Sequence, residues 1–175
     1  IETHIKYSDP DAILAGQRVQ VGRELTEKIL NSGTVLNSLT FELLMDFIRR
    51  RSHHSKEAFV IKNRLIRSLL KKDRIKYETS VIGCNCSLYK QLFMDINGYD
   101  EDFQGFGDED ADLGVRIVNQ GKTIKSVRNL AIVFHLYHPG TWDMTTDKFK
   151  HNALIKRRRI ENKETVCKNG IKKLP

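Results

Sequence analysis

The sequence lacks any long hydrophobic run and has only three cysteines among its 175 residues. No apolar stretch approaches the roughly 18 residues that a transmembrane helix requires. Three cysteines without a regular spacing favour a reducing compartment. The chain also shows no internal repeat, no low-complexity tract and no clear domain boundary. These features predict a cytoplasmic protein that touches the inner face of a membrane peripherally at most.

The positive charge of the chain is unevenly distributed. Lys and Arg number 30 against 22 Asp and Glu, for a net charge of +8. Residues 49–76 carry +9 and residues 148–175 carry +8, whereas residues 77–147 carry −6. A nucleic-acid binder usually spreads its basic residues along its working face. The acidic middle therefore has a role of its own, and the two basic stretches are expected to be peripheral to it.

Hydrophobic periodicity predicts a mixed set of helices and strands. We expect a short strand and a helix within 11–31, helices over 38–51, 58–72, 88–93, 113–120 and 147–160, a strand or turn over 81–86, strands over 122–127 and 131–136, and a polar tail. The helix over 58–72 places its apolar residues on one face and its basic residues largely elsewhere. That pattern suits an ordinary surface helix, and it also suits a helix that lies on a membrane.

The acidic segment 100–112 is the most informative stretch, with seven carboxylates in thirteen residues. An EF-hand calcium loop would place Asp100, Asp102, Gly105 and Asp108 at ligand or turn positions. Its twelfth position is Ala111, where a bidentate glutamate is required. A calcium site is therefore disfavoured by the sequence.

Without calcium, the acidic segment can serve either a structural or a catalytic role. The carboxylates of Glu109, Asp110 and Asp112 suit the first turn of the following helix, where the helix dipole favours negative charge. Alternatively, a carboxylate held there stays ionised, and Asp110 can accept a proton as a general base. Paired Glu109 can then bind a substrate, and Phe106 can offer a flat apolar face to a sugar ring or a base.

Glycine and histidine residues extend this candidate site. Gly105 and Gly107 bracket Phe106, an arrangement that lets the backbone come close to a ligand. His135 and His138 lie at the end of a predicted strand, where backbone groups ordinarily satisfy such side chains. Together with Cys84 and Cys86, these histidines make four side chains of the types that bind zinc. The cysteines are too close in sequence for a usual zinc site, so a small-residue turn is the preferred interpretation.

The ordered combination of these motifs resembles GT-A-fold glycosyltransferases of family 2. The resemblance rests on Phe93–Phe103 with its Asn-Gly-Tyr-Asp turn, on Gly105–Asp110, on Asp112, Leu113 and Arg116, and on His135–His138. It extends to the C-terminal region that these enzymes share with beta-galactosyltransferases and chondroitin-type polymerases. Phe106 stands where the family usually has tryptophan. The implied fold is α/β, the acceptor-side part of a GT-A fold with a mixed sheet flanked by helices.

The resemblance also implies a reaction and its residues. The reaction is an inverting transfer from a nucleotide sugar, a UDP-sugar, to a hydroxyl of a saccharide or glycolipid acceptor. Asp110 would be the general base, and the acceptor contacts would come from Glu109, Phe106, Gly105, Gly107 and Asp108. A divalent metal, Mn²⁺ or Mg²⁺, would be held by His138, the better ligand, and His135. Nucleic acid is not expected as a partner.

Residues 1–175 are expected to form a single domain or a fragment of a catalytic domain. The family also has an Asp-x-Asp metal motif after an apolar strand, and only Asp9-Pro10-Asp11 fits these letters. No buried strand precedes it, so the true motif and the nucleotide-binding part are expected upstream of Ile1. A different class of function remains as the alternative. The chain would then be a basic module without catalytic activity that binds nucleic acid or anionic membranes.

Overall fold

The computed structural model describes residues 1–32, 58–72, 81–140 and 143–175, together with positions 42, 45, 48, 49 and 75. The predicted helix over 38–51 falls almost wholly outside these residues and stays a prediction. None of the described helices is long and apolar enough to cross a membrane.

The strands form two small sheets. Strand β1 (Ala12–Ala15) lies between β3 (Cys86–Ser87), which is antiparallel to it, and β4 (Thr123–Ser126), which is parallel. Strand β2 (Gln17–Gln20) pairs in parallel with β5 (Ile132–His135). All four residues of β1 are buried, as expected for an apolar strand in the middle of a sheet. The prediction of an α/β protein with a mixed sheet flanked by helices is confirmed at this level.

Six α-helices and one 3₁₀ helix are described. They are α1 (Glu2–Tyr7), α2 (Arg23–Ser32), α3 (Arg64–Leu69), α4 (Lys90–Asp95), α5 (Glu109–Asn119) and α6 (Asp147–Asn162), with the 3₁₀ helix at Gly83–Asn85. Thr146 begins α6 by accepting a hydrogen bond from the Phe149 amide at 3.2 Å. Gly121 follows α5 with a φ of +78°, a conformation that ends helices.

One apolar cluster joins the three-stranded sheet to α4 and α5. It consists of the buried residues Ile13, Ala15, Val81, Leu92, Ile96, Leu113 and Ile117. A smaller cluster is formed by Val21 and by Leu25 of α2, and it packs against the end of β5. The larger cluster fixes α5 against the sheet, and α5 begins at the acidic segment.

Most of the predicted elements in the described ranges are found within a few residues of their expected bounds. The segment 11–31 contains two strands where we expected one. Gly16 lies between them, and the Asn85 side-chain amide occupies the space that a Cβ at this position would need. The polar tail is also more ordered than predicted, since Cys167 is fully buried and the Ile171 amide donates to the Asn97 carbonyl at 3.0 Å.

The helix predicted over 58–72 is shorter in the structure, and its leucines are not packed inward as in an ordinary surface helix. Helix α3 spans six residues, and Asn63 caps its first amides. Leu65 and Leu69 face outward, whereas Arg67 is buried and donates to the Ser126 carbonyl of β4 at 2.9 Å. The periodicity was compatible with a buried leucine face, but one buried arginine contact sets the orientation instead.

Candidate active site

Helix α6 neutralises the two ends of the acidic segment. Arg159 of α6 is buried, donates to Asp112 at 2.9 Å and pairs with Asp100. Arg116 of α5 donates to the second oxygen of Asp112 at 2.8 Å. Both carboxylates are fully buried, so each negative charge requires such a partner. Asp100 and Asp112 are therefore structural.

Three further carboxylates of the segment are held by the C-terminal part of the chain. Lys156 Nζ lies 2.6 Å from Asp108, and Lys173 Nζ lies 2.7 Å from Glu101. Asn169 donates to Asp102 at 2.9 Å. These contacts correct the expectation that the basic stretch 148–175 is peripheral.

Two of the carboxylates that an EF-hand loop would use pair with bases of α6, since Asp100 pairs with Arg159 and Asp108 with Lys156.

The glycine turn is built around a buried asparagine of α6. Asn152 donates to the carbonyls of Gln104 and Gly107 at 3.1 and 2.9 Å, and accepts from the Gln104 amide at 3.1 Å. Gly105 and Gly107 have φ values of +71° and +110°, which favour glycine at both positions. Because the turn depends on Asn152, its shape is set by α6.

Phe106 lies at the tip of this turn with 41% of its surface exposed. Its ring is nearly parallel to that of Phe149, with centroids 6.3 Å apart and an interplanar angle of 14°. The two rings form an apolar platform beside the acidic segment. A sugar ring can pack against such a surface.

Asp110 sits in the first turn of α5 and is oriented by two donors. The Gly83 amide donates to Oδ2 at 2.6 Å, and the Tyr99 hydroxyl donates to Oδ1 at 3.0 Å. A carboxylate offers about four acceptor positions, so each oxygen keeps room for a further hydrogen bond. The carboxylate is half-buried and thus open to a ligand.

Gly83 and Tyr99 suit these roles for physical reasons. A Cβ at position 83 would lie 2.6 Å from the Asp110 carboxylate, so only glycine permits this approach. Burial raises the pKa of the Tyr99 phenol, and the nearby charge of Asp110 raises it further. The phenol therefore stays protonated and acts as the donor.

Glu109 precedes Asp110 and is also half-buried. No hydrogen bond or ion pair to its carboxylate is found among the described residues, in contrast to the five carboxylates that α6 and the tail engage. In the described part of the chain, Glu109 and Asp110 are thus the two carboxylates of the acidic segment that neither α6 nor the tail engages. This separates them from their structural neighbours.

His135 and His138 form a second cluster at the end of β5. Their Nε2 atoms lie 3.1 Å apart, so both rings converge on one point. Partial burial lowers the pKa of His135, and the nearby charges of Arg18 and His138 lower it further. Neutral imidazoles are the form that binds metals. The pair fits a metal as two nitrogen ligands, with the remaining positions left to other donors.

Arg18 lies between the histidine pair and the residues around Asp110. Its guanidinium lies 3.9 Å from the Cys84 sulfur, next to Gly83, and its charge also acts on His135.

Among the described residues, no group of three or more His, Cys, Asp or Glu side chains is arranged to hold a metal. The preferred interpretation of Cys84 and Cys86 as a turn agrees with the 3₁₀ helix and the short strand found there.

Asp9 and Asp11 are engaged elsewhere. Asp9 pairs with Lys125 and Asp11 pairs with Lys122, both at the edge where β4 meets β1. Both carboxylates of Asp9-Pro10-Asp11 therefore have a lysine partner, and the expectation that the true metal motif lies elsewhere stays a prediction.

Sequence reasoning missed Gly83, Tyr99, Asn152 and Arg159. Tyr99 follows the recognisable Asn97-Gly98 turn and directly precedes the acidic segment in the sequence. Its hydrogen bond to Asp110 has no sequence signal. The other contacts join residues 27 to 59 positions apart. No local pattern reports such pairs.

Residues 64–139 match the protein family described as the N-terminal domain of galactosyltransferase. This supports a glycosyltransferase-related domain. The matched range contains the acidic segment, Asp110 and both histidines of the second cluster. No curated protein matches the chain in a sequence comparison.

Proposed function

We propose that this chain is the acceptor-side part of a GT-A-fold, family 2 glycosyltransferase. The proposed reaction transfers a sugar from a UDP-sugar to an acceptor hydroxyl with inversion at the anomeric carbon. The observation that carries the proposal is the contrast within the acidic segment. Five carboxylates are engaged by α6 and the tail, whereas Asp110 is held only by neutral donors and stays open to a ligand.

Asp110 is the general base of this proposal. Its two hydrogen bonds fix the orientation of the carboxylate, and a free acceptor position can take the proton of the incoming hydroxyl. As that proton moves to Asp110, the acceptor oxygen attacks the anomeric carbon and the diphosphate leaves. An attack from the side opposite the leaving group inverts the configuration.

The acceptor contacts of the proposal lie around Asp110. Glu109 has an open carboxylate that can accept hydrogen bonds from sugar hydroxyls, and Phe106 can pack against the ring. Gly105 and Gly107 allow the close approach of the turn. Asp108 is already paired with Lys156, and we assign it a contact through the backbone of the turn.

His138 and His135 are the proposed protein ligands of Mn²⁺ or Mg²⁺. When bound, the metal would neutralise negative charge on the departing diphosphate. Arg18 lies between these histidines and the Asp110 region and adds a positive charge for the same phosphates. All three cysteines are free, which fits the cytoplasmic location that belongs to this proposal.

The test is a transfer assay with the protein that contains this chain. A panel of UDP-sugars is incubated with Mn²⁺ and saccharide or glycolipid acceptors, and product is detected by mass spectrometry. The configuration of the new bond is read by nuclear magnetic resonance. We expect transfer from one UDP-sugar with an inverted anomeric centre. Transfer with retention, or transfer only from donors without UDP, would contradict the proposal.

A further inference from the structure

The segment 58–72 turns its apolar side chains away from the protein. Leu65 is 75% exposed and Leu69 is 82% exposed, whereas Arg67 between them is only 9% exposed. The outward face comprises Phe59, Val60, Leu65, Ile66, Leu69 and Leu70, which we call the leucine face. A short helix with buried arginine and exposed leucines reverses the usual arrangement of a surface helix.

This arrangement is fixed by contacts to the body of the protein. The Ile61 amide donates to the Asn129 carbonyl, and the Asn129 side chain donates to the Phe59 carbonyl, both at 2.8 Å. Arg67 donates to the Ser126 carbonyl at 2.9 Å. Because both ends of the segment are anchored through polar groups, the exposure of the leucines belongs to the folded state.

The charges within the segment that carries the leucine face have one sign. Residues 58–72 contain five basic residues and no acidic residue, and Glu57 and Asp73 lie just outside this range. Lys62, Arg64 and Lys71 are exposed alongside the leucines. The face therefore combines an apolar centre with cations at its border.

We propose that the leucine face binds the surface of an anionic lipid bilayer. Apolar side chains can enter the boundary between headgroups and acyl chains, while lysine and arginine contact anionic headgroups. The cations at the border of this face complement anionic lipid headgroups. They do not complement a second copy of the chain, because a symmetric dimer would bring the same cations together. Nucleic acid would find few stacking groups here, because five of the six apolar residues are aliphatic.

The proposal is independent of the proposed transferase function. Binding to vesicles does not require a donor, an acceptor or a metal. A protein inactive in sugar transfer can therefore still confirm it, and an active one can still contradict it.

The experiment is sedimentation of the whole protein with vesicles. Mixed phosphatidylcholine and phosphatidylglycerol vesicles are compared with pure phosphatidylcholine vesicles. We expect binding to the anionic vesicles that weakens with salt. The double variants Leu65→Ser/Leu69→Ser and Lys62→Glu/Arg64→Glu should each lower the partition coefficient, the second by at least roughly thirtyfold.

Matched controls test whether the loss of any exposed leucine, or any equal change in net charge, has the same effect on vesicle binding. Leu154→Ser removes an exposed leucine from α6, and Lys168→Glu/Lys172→Glu makes the same charge change in the tail. Both should bind as the unmodified protein does, and circular dichroism should show all variants folded.

Three results would overturn the proposal. The first is no preference for anionic vesicles. The second is unchanged binding after Leu65→Ser/Leu69→Ser. The third is self-association in analytical ultracentrifugation, or duplex DNA binding, that occurs without vesicle binding.

Discussion

Asp110 and Asp112 are two residues apart and have opposite surroundings. Asp112 is fully buried between Arg116 and Arg159. Asp110 receives neutral donors, the Gly83 amide and the Tyr99 hydroxyl, and remains half-buried. The difference follows from helical geometry, because residues two positions apart lie on different sides of a helix. One carboxylate therefore stabilises the fold and the other is available for chemistry.

Removing the Tyr99 hydroxyl tests the orientation of Asp110. A hydrogen bond to a charged group contributes about 1.5–3 kcal/mol, so Tyr99→Phe should lower kcat at least about tenfold. The thermal midpoint should change little, since the ring can stay in place. Steady-state kinetics with Tyr7→Phe as control, a tyrosine of similar exposure in α1, measures this effect. An unchanged kcat would show that Tyr99 does not orient Asp110.

The reactivity of Cys86 reports the charge of Asp110. Burial, Asp110 and the neighbouring Cys84 raise the pKa of the Cys86 thiol to about 11. At about pH 9, roughly one Cys86 in a hundred is therefore a thiolate, and the fraction rises as the pH approaches 11. Asp110→Asn removes a negative charge, lowers this pKa and should speed alkylation of Cys86 at fixed pH.

Mass spectrometry of the iodoacetamide-treated protein follows Cys86 separately from Cys84. Glu101→Gln, a carboxylate change at the rim of the segment, is the control and should leave the Cys86 rate unchanged. A rate that Asp110→Asn does not alter would mean that the two side chains do not interact.

Helix α6 is the element that organises the site. It supplies Asn152 to the glycine turn, Lys156 to Asp108 and Arg159 to two buried carboxylates. The site thus depends on a helix that follows it by about 40 residues in the sequence. A change in α6 is expected to act on the acidic segment without touching a substrate.

The buried ion pairs between α5 and α6 predict a large loss of stability in Asp112→Asn. Removal of one partner from a buried charge network leaves the other charge uncompensated and costs about 3–5 kcal/mol. Denaturant unfolding should show this loss. Asp147→Asn, at the exposed start of α6, should change stability by less than about 1 kcal/mol. Equal stability of the two variants would contradict the structural role of Asp112.

The sequence predicted elements better than it predicted contacts. Helices α4, α5 and α6 and strands β4 and β5 follow from apolar spacing and glycine stops. The orientation of α3 could not be predicted, because it depends on Arg67 reaching Ser126 on a distant strand. Likewise, the motif predicts roles for Asp110 and Glu109, but Gly83 lies 27 positions before Asp110 and no sequence signal links the two.

At the scale of the whole molecule, opposite charges in distant segments meet. A net charge of +8 by itself points to a polyanion as partner. Three bases of the C-terminal stretch, Lys156, Arg159 and Lys173, instead pair with carboxylates of the acidic segment and leave Glu109 and Asp110 open. Lys62, Arg64 and Lys71 instead stay on the surface beside the leucine face. The bases that the structure describes thus have two roles, since some pair with carboxylates of the fold and others remain exposed.

The turnover of the Asp110→Asn variant decides whether Asp110 is the general base. The variant keeps the size of the side chain and removes its basicity, so kcat for sugar transfer should fall by about a hundredfold to ten-thousandfold. Glu101→Gln serves as the control and should retain full activity. Circular dichroism should show both variants folded. Asp110→Asn turnover close to that of the unmodified protein would contradict the assignment of Asp110 as general base.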